Sequence, residues 1–490
     1  MNFDWKWPLV AALLVSGLSA CSSVPPYQPP EVALASKYKE GGDTAPAGNW
    51  KSATPGDRAG RGPWWQVFHD PQLDALEAQL GLSNQNLAQA EARYRQALAT
   101  LAGARATQLP SVGANAGVTR SQAPGGRSAP LTNYNLGVAG SWETDLWGKL
   151  RANVAANQSS LEASALDLDG LKLSVEAQLA QNWFALRTLD AQQALLARTI
   201  AEYQKSLKLT QNQYAAGTVA RENVLLAQTQ LKSTEAQAID LRVQRAQLEH
   251  AMALLLGKAP ADFGLPSMKT GMAEAGNGKI VPSTEPAAPT VLPTLLPTIP
   301  PGLPSTLLER RPDIAAAERR VASANAQIGV AKAAYFPDLS LSASSGFQSS
   351  SFANWLSVPG RVWSLGPSLA QSLFDGGARK AQNAQALAQY DASVAAYRQT
   401  VLQGFQEVED NLAALHYLAE EAALQDEALQ AARQSVSLTE NQYRAGVVSY
   451  LSVIQVQTTA LASERTALDI QNRRLQASVA LIKALGGPWQ

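Results

Sequence analysis

The chain has 490 residues, with 40 Lys+Arg against 40 Asp+Glu, three histidines and one cysteine. That length admits two or three ordinary domains or one large elongated one. The even charge balance gives no electrostatic case for nucleic-acid binding. A lone Cys21 excludes an internal disulfide framework and a cysteine-based zinc site. His69, His250 and His416 lie too far apart to offer a metal-binding histidine pair.

Residues 1–20 read as an address. Lys6 precedes an apolar run from Leu9 to Leu18. The run is too short to cross a bilayer core, which takes about 20 helical residues, and it suits the apolar segment of a secretory signal. It ends in Leu18-Ser19-Ala20-Cys21, which resembles the lipobox of bacterial lipoproteins, where cleavage leaves a lipidated N-terminal cysteine. A covalent lipid on Cys21 is the one expected attachment; no cofactor is expected. Each buried methylene contributes about 0.8 kcal/mol, so several acyl chains anchor stably. In that lipoprotein class an aspartate after the cysteine marks inner-membrane retention, so Ser22 points to the outer membrane. Pro25-Pro26 and Pro29-Pro30 then make a stiff, extended tether.

The remainder is an internal repeat. Thr210-Gln-Asn-Gln-Tyr214-Ala-Ala-Gly217 matches Thr439-Glu-Asn-Gln-Tyr443-Arg-Ala-Gly446, 229 positions on, and the register holds through Leu256-Gly257 and Leu485-Gly486. Upstream, Asn86 to Glu91 resembles Asp313 to Glu318, and Pro110 pairs with Pro337, 227 positions on. The resulting organisation is a signal at 1–20, a lipid anchor and extended segment at 21–69, a first repeat at 70–260, a Pro-rich linker at 261–302 and a second repeat at 303–490.

Each repeat runs in the same order. A helix is expected at about 71–108 and again at 312–335, with Pro312 in its first turn and Asp313 at its positive start. Ser83 or Asn84 is a candidate cap for the first. Two alternating stretches follow. Val112, Ala114, Ala116 and Val118 share a face, as do Leu136, Val138, Gly140, Trp142 and Thr144, with small or polar residues opposite. Leu339, Leu341, Ala343, Ser345 and Phe347, then Trp363, Leu365, Leu369 and Leu373, repeat the pattern. Such alternation predicts strands with one apolar and one wet face; Pro367 weakens the fourth, since proline is awkward within a sheet. No proline then occurs from Lys149 to Tyr214 or from Gly377 to Tyr443. Helices of that length reach about 99 Å. Leu186, Leu189, Leu196, Ile200, Tyr203 and Leu207, and likewise Val401, Phe405, Val408, Leu412 and Leu415, fall on the three/four spacing of coiled-coil packing. Gly217 and Gly446 break the pattern, and further helices return at about 221–256 and 449–485. Val281 to Pro304 reads as extended or irregular.

Two strands per repeat give four per chain. A soluble sheet would bury its apolar face on a helix. A membrane sheet would need several chains to close one barrel, because an open edge in hydrocarbon leaves unpaired amides that each cost several kcal/mol. Eight, twelve or sixteen strands all satisfy the even, antiparallel rule, and the pattern does not choose between them.

Several segments carry a family resemblance. Gly302-Leu303-Pro304-Ser305, Leu307-Leu308-Glu309-Arg310-Arg311-Pro312-Asp313-Ile314, Phe336-Pro337-Asp338-Leu339, Leu373-Phe374-Asp375-Gly376-Gly377 and Asp145-Leu146-Trp147-Gly148-Lys149 closely resemble signatures of the outer membrane factors, the TolC-like exit ducts of tripartite efflux pumps. With Cys21 the likeness is closest to the NodT-type lipoprotein branch. The resemblance implies a mainly α fold with membrane β: a homotrimeric α/β barrel duct whose chains each give four strands to a twelve-stranded barrel and long helices to a periplasmic α-barrel. It implies a passive outer-membrane duct for drugs or other small molecules, not an enzyme, served by a periplasmic adaptor and an RND-type inner-membrane pump. The hairpin tips around Tyr214, Gly217, Tyr443 and Gly446 are the expected adaptor contacts. Family members often ring the closed end with acids near the second tip; here Glu427 to Val448 holds no aspartate, leaving Arg221, Glu222, Glu440 and Arg444 as candidate polar locks. The rival readings are a lipid-anchored adaptor and a structural envelope lipoprotein. Two hairpins, each preceded by a strand pair, disfavour the adaptor.

Overall fold

The computed structural model describes residues 25–32, 38–40, 62–122, 129–266, 272–275, 279–282, 297, 299 and 309–487. The signal at 1–20 and the expected lipid attachment at Cys21 lie outside the described residues. The chain divides into two compact units, one of Met1–Ala33, Ala90–Leu168 and Asp313–Val401, the other of Leu34–Gln89, Asp169–Pro312 and Leu402–Gln490.

The helix expected at 71–108 is two helices, α1 (Pro71–Ser83) and α2 (Gln85–Ala106). Asp70 caps α1, accepting from the backbone N–H of Gln72 and Leu73, with Pro71 in the first turn. Asn84 adopts an extended conformation between the helices. Its Oδ1 accepts from Leu87 N–H at 3.0 Å and its Nδ2 donates to the Leu255 carbonyl at 2.7 Å. One side chain thus caps α2 and ties the break to a neighbouring helix, the use to which asparagine is suited.

The first unit carries the sheet. Strands β1 (Ser111–Ser121) and β2 (Leu131–Glu143) belong to the first repeat. Beyond the linker strands β3 (Met272–Ala275) and β4 (Lys279–Pro282), β5 (Asp338–Ser349) and β6 (Arg361–Ala370) belong to the second. The order is β1-β2-β5-β6, every pair antiparallel, so the middle pair joins the two repeats. The registers Ala114↔Val138, Leu136↔Phe347 and Ala343↔Leu365 line up the apolar side chains of all four strands on one face. Asn115, Asn135, Ser342, Ser344 and Ser364 stand on the other, where the hydroxyls of Ser344 and Ser364 lie 2.8 Å apart. Nothing described covers the apolar face: Val112, Trp363 and Leu365 are each at least 70% exposed. Pro367 lies opposite Leu341 on β6, a strand at the edge of the sheet, where a missing N–H is tolerated. In the same unit α5 (Pro312–Ala333) holds the tether: Tyr27 donates its hydroxyl to Glu318, and Asn325 Nδ2 donates to the Pro25 carbonyl at 3.0 Å.

Two helices of 67 residues each follow the strand pairs, α3 (Lys149–Ala215) and α6 (Ala378–Arg444). Each starts on an aspartate of the signature segments. Asp145 accepts from the N–H of Leu150 and Arg151, and Asp375 from the N–H of Gly377 and Arg379. In each case the arginine side chain bonds back to the same carboxylate. Asp375 is held below the usual carboxylate range, to about 2, by Arg379 and then by the backbone N–H groups.

The return helices are α4 (Arg221–Leu255) and α7 (Tyr450–Ala484). In the second unit Trp64, Phe68, Leu73, Leu80, Trp183, Phe184, Met252 and Leu256 form the largest core, and Leu196, Ile200, Tyr203, Leu231 and Leu241 a second. The stripe read from the spacing along α3 therefore faces its own hairpin partner. Trp64 Nε1 donates to Glu176 at 3.1 Å and Trp183 Nε1 to Asp70 at 2.7 Å, so both indoles are satisfied within the core. Within the linker, β3 pairs antiparallel with β4. Among the described residues no helix is long and apolar enough to cross a membrane.

Candidate functional site at the helical hairpin tips

The two hairpin tips are built alike. Gly217 has φ +73° and Gly446 φ +75°, in the left-handed region where a side chain is strained. Beyond each, the chain closes the helix in a Schellman arrangement: Thr218 N–H donates to the Gln213 carbonyl and Val447 N–H to the Gln442 carbonyl, both at 2.9 Å. A Cβ on either glycine would meet no atom of the described residues within 4 Å. The tips are thus constrained by backbone conformation and present open space.

The side chains around them divide into two groups. Tyr214 is 47% exposed. Tyr443 instead turns its hydroxyl to the other hairpin, donating to Gln213 Oε1 at 2.9 Å. One turn beyond the tip, the Tyr450 hydroxyl lies 2.9 Å from Ser206 Oγ, and the two tyrosine rings stand 5.5 Å apart. Tyr450 is buried with Ala227 and Val453, and Leu207 and Tyr443 pack against them. Burial pushes the Tyr443 hydroxyl above its ordinary pKa, so it stays a donor at physiological pH. Further along, Gln230 Nε2 donates to Thr458 Oγ1 at 3.2 Å and Arg465 Nη1 to Gln237 Oε1 at 2.9 Å. The hairpins are joined near their tips by a ladder of neutral and singly charged polar contacts.

The structure brings together only one of the candidate lock pairs. Glu440 and Arg444 lie one turn apart on α6 with Nη2 and Oε2 separated by 3.5 Å, and Gln457 Nε2 donates to the same glutamate at 2.8 Å. Arg444 also donates to Asn441 Oδ1 at 3.0 Å. Arg221 and Glu222, in the first turn of α4, are exposed and make no ion pair among the described residues. Gln213, Ser206 and Tyr450 escaped the sequence reading. Tyr450 had a signal, an aromatic residue just past the tip in the second repeat only, at the position of Arg221 in the first.

Two like-built hairpins on very long helices, and a four-stranded sheet with an apolar face that no described residue covers, make the pattern the sequence resemblance implies. Residues 77–258 and 303–487 match the model of the outer membrane efflux protein family, to which the chain belongs. The pyoverdine export outer membrane protein OpmQ of Pseudomonas aeruginosa is 30% identical over 501 residues, spanning 98% of this chain and 96% of that protein. The solvent efflux pump outer membrane protein SrpC of Pseudomonas putida is 30% identical over 491 residues, spanning 98% of each. The open-state structure of the Neisseria gonorrhoeae MtrE outer membrane channel superposes with a TM-score of 0.76 at 27% identity, covering 95% of this chain and 98% of that one. The protein is an outer-membrane channel of an efflux system, in a family of transport channels rather than enzymes.

Proposed function

We propose that three copies of this chain form one passive exit duct, anchored by lipid on Cys21 and docked through its hairpin tips to a periplasmic adaptor and an RND-type pump. One observation carries the reading: among the described residues, nothing covers the apolar face of the four-stranded sheet, and the outer edges of β1 and β6 have no partner strand. Closure between copies satisfies the edges, and hydrocarbon covers the face. The cargo follows the class of the relatives, small molecules such as solvents, drugs or pyoverdine, with selection left to the pump. The tyrosine ladder supports a role for Tyr443 and Tyr450 in holding the hairpins closed, with Glu440 and Arg444 beside them.

The test is threefold. Purified protein should migrate as a trimer in detergent and conduct in a planar bilayer. Cys21→Ala should abolish incorporation of labelled palmitate. Deleting the chain should raise intracellular retention of a fluorescent efflux substrate. A monomer that gives no conductance would sink the duct.

A further inference from the structure

The end of the sheet away from the long helices carries an arrangement that the channel function leaves unused. Tyr134 lies on the apolar face of β2 at that end, opposite Ser349. The connection from β5 to β6 folds back onto it: the rings of Tyr134 and Phe352 are 5.6 Å apart, those of Tyr134 and Trp355 6.0 Å, and those of Phe352 and Trp355 6.1 Å. Three aromatic rings therefore touch one another over the rim of the face read as meeting lipid. Phe352 is still 70% exposed and Leu356 62%, so the hook presents an apolar surface continuous with that face.

Two cations share this end and this face. Arg361 follows the hook directly and pairs with Phe347, which pairs in turn with Leu136. Arg120 on β1 lies opposite Thr132, two residues beyond Tyr134. Both arginines are exposed, and neither makes an ion pair among the described residues. A guanidinium at the edge of an apolar, lipid-covered face is stable where it meets an anion at headgroup level, and its planar fork matches phosphate oxygens. Aromatic side chains with a polar tip favour the same layer.

Resting on the channel reading above, we infer that the hook of Tyr134, Phe352 and Trp355, with Arg361 and Arg120, is a binding site for the phosphate-bearing headgroup of an outer-leaflet lipid. The rings and Leu356 lie in the interfacial layer, and the arginines take the phosphates. The polar face of the strands carries no equivalent cations at this end among the described residues, so the site belongs to the outside of the wall rather than to the duct.

The experiment uses the full chain in phosphatidylcholine nanodiscs titrated with lipid A or with dephosphorylated lipid A, read by native mass spectrometry and by the thermal midpoint of the trimer. The expected result is retention of phosphorylated lipid and a rise in midpoint with lipid A alone. Arg120→Gln/Arg361→Gln should weaken that binding about tenfold, the loss of a charge-assisted hydrogen bond or two, and Phe352→Ser should weaken it for both lipids. Undiminished lipid A binding by the double arginine variant overturns the site. A midpoint shift produced by inorganic phosphate alone overturns the lipid as its ligand. Conductance of each variant is recorded in parallel: a wild type that neither trimerises nor conducts counts against the duct itself, whereas conducting variants with unchanged lipid response count against the rim alone.

Discussion

Glu77 shows how one residue can oppose the fold that contains it. It is 3% exposed in the core beside Glu176, and neither carboxyl oxygen has a hydrogen-bond partner among the described residues. Burial, then the charges of Glu176 and Asp74, push its pKa up to about 9. The folded-state value lies above the unfolded one, so the folded chain binds the extra proton. Below the unfolded pKa the group costs nothing through ionisation; as pH rises from there to about 9, the unfolded chain ionises while the folded one does not, and stability falls. At pH 7 the loss is on the order of 3 kcal/mol. Glu77→Gln should therefore raise the thermal midpoint at pH 8 and flatten its decline between pH 5 and 9, as followed by circular dichroism in detergent. Gly257 makes a steric case of the opposite kind. Its φ is +63°, and a Cβ there would lie 2.1 Å from the Ser83 carbonyl oxygen; Gly486, its counterpart in the second repeat, would clash with the Arg310 carbonyl at 2.8 Å. Gly257→Ala should cost more than the about 1–3 kcal/mol of strained backbone alone, whereas Gly217→Ala, with the same sign of φ and open space around it, should cost no more than that. Melting curves of the two variants separate the contributions.

At the scale of the element, the long hairpins are held by contacts weak enough to be undone. A hydrogen bond such as Tyr443 to Gln213 contributes about 0.5–1.5 kcal/mol net. Tyr443→Phe/Tyr450→Phe removes both tyrosine links and leaves ring packing in place. The expected outcome is a higher single-channel conductance with an unchanged trimer; identical conductance to wild type would remove the ladder from the gate. A bulky residue at Gly446, such as Gly446→Leu, should abolish export while the trimer persists, because the tip meets open space where the adaptor is proposed to sit. Much of this scale was legible in advance. The run without proline from Lys149 to Tyr214 and the three/four stripe through Leu196, Ile200 and Tyr203 report local geometry and burial, which the sequence encodes directly. The break at Asn84 was half legible, since capping chemistry showed but the carbonyl of Leu255 that fixes it did not. Glu77 and the Gln213, Ser206 and Tyr450 contacts were not legible, because they depend on which side chains a distant helix brings alongside.

For the whole molecule the two faces of the sheet decide where the protein can live. Leu365→Arg places a charge on the face assigned to lipid, at about 2–4 kcal/mol near the midplane of a bilayer, while Ser364→Arg places it on the polar face one residue away. Immunoblots of fractionated membranes should show the first variant depleted from the outer membrane and the second present. The alternation that sets these faces was readable residue by residue, and the repeat signalled that the four strands would be related in pairs. That β2 and β5 pair across the repeats was not readable, because nothing local specifies it.

The vacant backbone groups along β1 and β6 matter most before assembly, in a newly secreted copy that has not yet met its siblings. Such a chain offers two adhesive margins at once, and any extended polypeptide nearby can occupy them. Pro367 removes one donor from the second margin and so spoils a continuous ladder there. Escort through the aqueous compartment, and a supply of copies matched to the rate of trimer closure, then become conditions for the duct to exist at all.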